Sequence, residues 1–182
     1  MRIVAGRWRG RPLVAPQGQD TRPTSDRVRE ALFSMLASRL GTFEGLRVAD
    51  LFAGTGALGL EALSRGAARC TFIERERAAL AAIERNVASL GAGPLSEIRA
   101  GAVERAPAPR EPFHLVFMDP PYGQDLAQAA LDRIVRDSWV DEGGWISIEK
   151  GPEPLQLPGG LALDSERRFG KARLLLVRRS DS

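Results

Sequence analysis

Apolar and polar positions follow two different periods along this chain. Residues 2–16, RIVAGRWRGRPLVAP, alternate apolar and basic positions about a central glycine, which predicts a short β-hairpin or extended arm with Arg7, Trp8, Arg9 and Arg11 near its turn. QGQDTRP reads as a loop. TSDRVREALFSMLASRL switches to helical spacing: Thr24 or Ser25 is the N-cap, Val28, Ala31, Leu32, Met35 and Leu36 form one apolar stripe, and Gly41 is the stop. After that, short apolar runs and helical segments take turns. Strands are expected at 46–52, 69–74, 96–100, 114–119 and 144–150. Helices are expected at 57–66, 76–91 and 125–138, the first two closed by Gly66 and Gly91 and the third capped by Asp125. Residues 161–180 read as two final strands joined through Gly170.

Strands that are nearly all apolar, separated by helices, argue for a parallel sheet covered on both faces. The last two strands have no helix between them, so an antiparallel hairpin on the sheet edge is expected. The fold class is therefore α/β: a Rossmann-like, doubly wound, mostly parallel seven-stranded sheet with an antiparallel C-terminal edge hairpin. A small β-hairpin and helix extension, residues 1–40, precedes the main domain, 41–182. In such a sheet the ligand crevice lies at the carboxyl ends of the strands, where the strand order reverses.

Charge refines this picture. Residues 1–30 carry seven arginines against Asp20, Asp26 and Glu30, a net of +4, while the whole chain of 182 residues carries +3. The basic excess thus belongs to the N-terminal segment, the electrostatic footprint of a polyanion binder. Hydrophobic residues are 43% and charged residues 27% of the chain, ordinary for a soluble globular protein. No run approaches the ~20 apolar residues of a membrane span, the start has no secretory signal, and a cytoplasmic location is expected. The single cysteine, Cys70, excludes an internal disulfide and a cysteine-based metal cluster, and no metal is expected. Cys70 reads as a small buried hydrophobe and His114 as a polar residue at a strand start. Nothing demands more than a monomer.

Two motifs carry chemistry. ADLFAGTGALGLEAL follows the first sheet strand and opens a helix, and Gly54, Gly56 and Gly59 match G-x-G-x-x-G. Glu74 ends the next strand, 20 residues after the first glycine, where an acid would hold a pair of ribose hydroxyls. Dinucleotides and S-adenosylmethionine both fit this loop. VFMDPPYG discriminates between them. Asp119 stands at the end of the fourth sheet strand, and Pro120 and Pro121 stiffen the loop that follows. An amino group on a planar ring is a poor nucleophile because its lone pair is delocalised. The Asp119 carboxylate and the Pro120 carbonyl would accept its two N–H bonds and free that pair, and Tyr122 would offer a flat face to the ring. A methyl sulfonium on the glycine loop would then be attacked in line, which a dinucleotide cannot offer.

MRIVAGRWRGRPL, RPTSDRVREALFSML, DLFAGTGALGLEALSRGA and VFMDPPY, in this order, resemble the bacterial RsmD family of class I S-adenosylmethionine-dependent methyltransferases, which modify small-subunit (16S) ribosomal RNA at a guanine N2. The likeness covers most of residues 1–123. It implies S-adenosyl-L-methionine as cofactor, held by Asp50, by the loop containing Phe52, Ala53, Gly54, Thr55, Gly56 and Leu58, and by Glu74 and Arg75. It implies Asp119, Pro120, Pro121 and Tyr122 as the catalytic loop. It further implies cofactor or RNA contacts from RPTSDRVRE, chiefly Thr24 to cofactor and Arg22 and Arg27 to RNA, and RNA contacts from Arg7, Trp8, Arg9 and Arg11. The partner would be 16S rRNA within a small-subunit assembly intermediate. One departure stands out. Many of these enzymes read adenine with an acid or amide after the third strand, but here Gly101 and Ala102 occupy that place, so backbone near Ala102 and Val103 would read it. A DNA adenine-N6 methyltransferase and a protein glutamine-N5 methyltransferase share the two central motifs, but the first needs room for a target-recognition domain and the second has no use for the arginines. A binding factor on an inactive methyltransferase fold would have been free to lose Asp119.

Overall fold

The computed structural model describes residues 1–16, 26–123 and 125–180. Its elements in chain order are α1 (Asp26–Leu40), β1 (Arg47–Leu51), α2 (Ala57–Ser64), β2 (Arg69–Glu74), α3 (Arg77–Leu90), β3 (Ser96–Ala100), β4 (Phe113–Met118), α4 (Leu126–Arg136), β5 (Val140–Lys150), β6 (Leu161–Phe169) and β7 (Ala172–Arg179). The seven strands form one sheet in the order β3-β2-β1-β4-β5-β7-β6. β1 to β5 pair in parallel, and β7 inserts antiparallel between β5 and the edge strand β6. The strand order reverses between β1 and β4, which places the crevice between their carboxyl ends.

The apolar strands are buried on both faces. Val48, Leu115, Phe117 and Leu176 point to the side covered by α1, α2 and α3, while Ala49, Val116, Ile146 and Val177 point to the side covered by α4. β5 starts earlier than expected. The segment VDEG, residues 140–143 ahead of the expected strand, joins it through an irregularity between Phe113 and Leu115 on the neighbouring β4. Gly143 at φ 72° permits that irregularity.

α1 buries Leu32, Met35 and Leu36 as expected, but it also buries Phe33 and Arg29 completely, while Val28 and Ala31 are half-buried. Phe33 lies between Phe43 and Phe117, each at 5.5 Å between ring centroids, with the Arg65 guanidinium 4.8 Å over it. The expected N-cap, Thr24 or Ser25, lies outside the described residues.

Residues 1–16 do form a minimal hairpin. Arg2 bridges Pro12, the Ile3 amide donates to the Arg11 carbonyl at 3.0 Å, and the Gly10 amide donates to Ile3 at 2.8 Å. This hairpin is docked along α2. The Val4 and Ala5 amides donate to the two carboxylate oxygens of Glu61 at 2.8 and 3.0 Å, and the Arg7 amide donates to the Ser64 carbonyl at 2.8 Å. Gly6, at φ +90°, brings its backbone so close that a Cβ would lie 2.0 Å from the Ser64 carbonyl oxygen. Ile3 and Leu13 join the same core as Leu36, Leu60 and Leu176.

Candidate active site

β1 delivers the chain to the crevice and then has to turn sharply into α2. Phe52 takes φ 58°, rare for a residue with a Cβ, and Gly54 and Gly56 follow at 58° and 79°. The loop is held at several points. The Ala53 amide donates to the Ile73 carbonyl at 3.1 Å, and Asn86 donates to the Thr55 carbonyl at 2.9 Å while also pairing with the backbone of Val14. Gly59 has a packing reason: a Cβ there would lie 2.5 Å from the Phe72 ring and 2.6 Å from Cys70 Sγ. The glycine pattern thus serves two ends, turning the chain at Gly54 and Gly56 and seating α2 on β2 at Gly59.

Two acids anchor this loop. Glu74, at the end of β2, accepts from the Gly54 amide at 3.2 Å and from the Arg75 amide at 2.9 Å. Asp50 is buried within β1 and accepts from the Gly59 amide at 3.0 Å. Burial pushes its carboxyl up to about 8; the Gly59 hydrogen bond opposes the rise and the charge of Glu74 adds to it.

Across the crevice, β4 ends at Met118 and Asp119 follows directly. Pro120 is buried, and Tyr122 is 38% exposed with its ring beside Gly151. A single cavity of about 540 Å³ joins the two sides. The glycine-loop residues Phe52, Ala53, Gly54, Thr55 and Leu58 line it together with Asp50. Glu74, Arg75, Ala102 and Val103 bound it over β2 and β3, and Asp119, Pro120, Pro121 and Tyr122 bound it over β4. Gly56 turns the chain behind this wall rather than forming part of it.

The basic residues fall elsewhere. Arg7, Trp8 and Arg9 sit at the Ser64 end of α2, with the Arg7 guanidinium 5.3 Å over the Trp8 ring and the Trp8 amide on Ser64 Oγ at 3.1 Å. Arg11 donates to the Ser89 carbonyl at 2.7 Å, near the end of α3. Both places are a helix length from the glycine loop, roughly 12 Å for α2 at 1.5 Å per residue. Arg27 is exposed in the first turn of α1, next to Val28 and Arg29 on the cavity wall. Arg22 and Thr24 lie outside the described residues. His114 Nδ1 accepts from the Arg47 amide at 2.9 Å at the opposite edge of the sheet, its pKa lowered first by burial and then by the Arg47 charge. Cys70 is buried, and burial pushes its thiol up.

Several wall residues escape a reading of the sequence. Glu149 ends the buried stretch WISIE on β5, the same signature that marks Glu74 on β2, and that signal could have found it. Glu104 stands just beyond Val103, adding an acid to the wall beyond β3. Phe169 and Ala172, at the β6–β7 turn, and Met1 and Pro16 of the extension have no local signal; only the three-dimensional fold returns them to the crevice.

The family model described as conserved hypothetical protein 95 matches residues 1–178. The chain is 36% identical over 181 residues to ribosomal RNA small subunit methyltransferase D of Escherichia coli strain K12, covering 98% of this chain and 90% of that one. It is 37% identical over 177 residues to the putative rRNA methyltransferase YlbH of Bacillus subtilis strain 168, covering 93% and 94%. Among solved structures it is similar to the putative methyltransferase yhhF from Escherichia coli, with a TM-score of 0.88, 36% identity, and coverage of 100% of this chain and 99% of that one.

Proposed function

The chain belongs to the RsmD family of methyltransferases, the family described as conserved hypothetical protein 95, and from that premise we propose that it methylates the exocyclic N2 amine of a guanine in small-subunit (16S) ribosomal RNA. One observation supports this reading above the others: the Asp119–Tyr122 loop and the Glu74-anchored glycine loop face each other across one cavity at the point where strand order reverses.

The residues present suit S-adenosylmethionine. The cavity of about 540 Å³ is the size of a small-molecule site. Phe52, Ile73 and Val103 give it apolar walls, and Glu74 supplies a carboxylate where a ribose diol would lie. When bound, the cofactor supplies an electrophilic methyl on a sulfonium centre. The protein's own part is to hold and activate the amine. Asp119 and the Pro120 carbonyl accept its two N–H bonds, and the proline pair holds both acceptors in place before the substrate arrives. Asp119 is then placed to take the proton the nitrogen sheds once it is alkylated. The base must leave its stack to reach this depth, and Tyr122 offers the ring on which it comes to rest. A chain of this size has little surface with which to read folded RNA, which favours a ribonucleoprotein assembly intermediate as substrate. Met1 and Pro16 of the hairpin and Val28 of α1 line one wall of the cavity, and Arg27 is the exposed neighbour of Val28.

The test is Asp119→Ala assayed on undermethylated small subunits. Methyl transfer is expected to fall at least 100-fold, with S-adenosylmethionine and RNA affinities within a few fold of the parent. Turnover at the parent rate would remove Asp119 from the chemistry.

A further inference from the structure

The basic excess read in the N-terminal segment is not the only concentration of cations. β6 and β7 are joined by the turn Gly170–Lys171, and Arg167, Arg168, Lys171 and Arg173 fall within seven residues of it. This turn sits at the carboxyl edge of the sheet. Arg173, at the start of β7, pairs with Lys150, at the end of β5. Phe169 and Ala172, opposite one another in the hairpin register, line the same cavity as Asp119. The tip therefore overhangs the mouth of the active site on the side away from the glycine loop, whereas Arg7, Arg9 and Arg11 lie near the other edge of the sheet.

The charges at the tip are poorly compensated. Arg173 meets Glu166 at 3.3 Å, but among the described residues Arg167, Arg168 and Lys171 have no ion pair. The Arg167 guanidinium rests 5.3 Å over the Phe169 ring, and Arg168 Nε reaches only the Gly170 carbonyl at 3.4 Å. Register makes the arrangement costlier. Arg168 stands directly opposite Arg173, which stands directly opposite Lys150, a row of three cations across three strands. Like charges directly opposite destabilise a sheet. Some arginines elsewhere do meet acids, as Arg39 with Asp164 at 2.7 Å and Arg133 with Asp137 at 3.2 Å, so what sets the tip apart is the row of like charges and its place at the cavity. A row that disfavours its own strand pairing, at the mouth of a catalytic cavity, has the chemistry of a polyanion site.

We propose that the β6–β7 tip is a phosphate clamp that holds the RNA backbone flanking the flipped base over the active site. The inference rests on the RNA-methyltransferase reading above and assigns the clamp to the C-terminal hairpin instead of the N-terminal one. Arginine and lysine on an exposed turn bind phosphates without reading sequence, so the clamp contributes affinity and register while the cavity chooses the base.

The test is Arg167→Ser/Arg168→Ser/Lys171→Ser in the full chain, three exposed residues at the hairpin tip outside the core. Affinity for a small-subunit rRNA fragment is measured by filter binding across a salt series, with S-adenosylmethionine affinity measured by calorimetry on the same preparation. A matched charge-loss control is Arg69→Ser/Arg85→Ser/Arg110→Ser, exposed and away from the cavity. The expected result for the tip variant is RNA affinity at least 10-fold weaker near physiological salt. The log–log salt slope becomes shallower by about 2, from roughly 0.7–0.9 per lost phosphate contact. Cofactor affinity stays within 2-fold, and the control keeps the parental slope. An unchanged slope in the tip variant overturns the proposal, as does an equal change in the control, which would make the effect one of net charge. A tip variant that aggregates while keeping its slope also overturns it and assigns the cations to protecting the sheet edge. If the parent chain shows no salt-dependent RNA binding at all, the RNA reading itself fails and takes the clamp with it.

Discussion

Glu61→Ala should destabilise this protein more than any single surface change, because Glu61 is where the N-terminal hairpin is fastened to α2. Its side chain is fully buried on α2. It accepts from the Val4 and Ala5 amides at 2.8 and 3.0 Å and from Arg65 Nε at 3.1 Å, and it lies 3.7 Å from Nε of the fully buried Arg29. Among the described residues Arg29 otherwise reaches only the Arg2 carbonyl and Asp26, and its Nε and one Nη have no hydrogen-bond partner there. Removing Glu61 leaves a buried guanidinium with one partly exposed acid at its far end, and two amides with no acceptor. Breaking one side of a buried pair costs about 3–5 kcal/mol. At roughly 2–4 °C per kcal/mol for a chain of this size, the midpoint should drop by roughly 10 °C. Urea unfolding would measure the loss, and a cycle with Arg29→Met would isolate the pair: the double variant should cost less than the sum of the singles by at least ~1 kcal/mol. Because Met1 and Pro16 form part of the cavity wall, S-adenosylmethionine affinity should weaken in parallel. A loss below ~1 kcal/mol, additive with Arg29→Met, would refute the idea that this buried pair secures the hairpin.

Two further outcomes are expected. Asp50 keeps its proton in the folded chain up to about pH 8, whereas the unfolded carboxyl releases it near 3.8. The native state therefore binds more protons between these values, and stability should fall as pH rises through that window, by at most about 1.4 kcal/mol per pH unit, and level off above it. Asp50→Asn keeps an acceptor for the Gly59 amide and should flatten the slope; parallel stability profiles for parent and variant between pH 5 and about 8 would contradict the assignment. Gly59→Ala places a methyl 2.5 Å from the buried Phe72 ring and should cost ~1–3 kcal/mol in urea unfolding, with the neutral Gly91→Asn, at a helix stop open to solvent, as the comparison.

The alternation of apolar strands and helices, the glycine loop, Glu74 and the Asp-Pro-Pro-Tyr loop are all legible along the chain because each is a local pattern: one strand, one turn, one acid at a strand end. What escaped is non-local. Arg29 sits in a helix whose polar residues look solvated, and only the docking of residues 1–16 over α1 and α2 buries it. The N-terminal arginines read as a hairpin or arm that contacts RNA, but where that hairpin docks is not legible: Gly6 and Ser64 hold its turn at the far end of α2. Phe169 carries no motif; it reaches the cavity because β7 inserts between β5 and β6, a choice of strand order that no short stretch encodes. Val140 to Gly143 fall ahead of the expected strand because adjacent glycines usually break a strand, and here they shape an irregular one.

The most direct test of the account is methyl transfer from labelled S-adenosylmethionine to undermethylated small ribosomal subunits, to naked 16S rRNA and to DNA, followed by nucleoside analysis of the product. The account predicts label in N2-methylguanosine from the ribosomal RNA, with the subunit particles the better acceptor. Label in DNA adenine, or in no nucleic acid, would contradict it and mean that the Asp119 loop holds an amine of another kind.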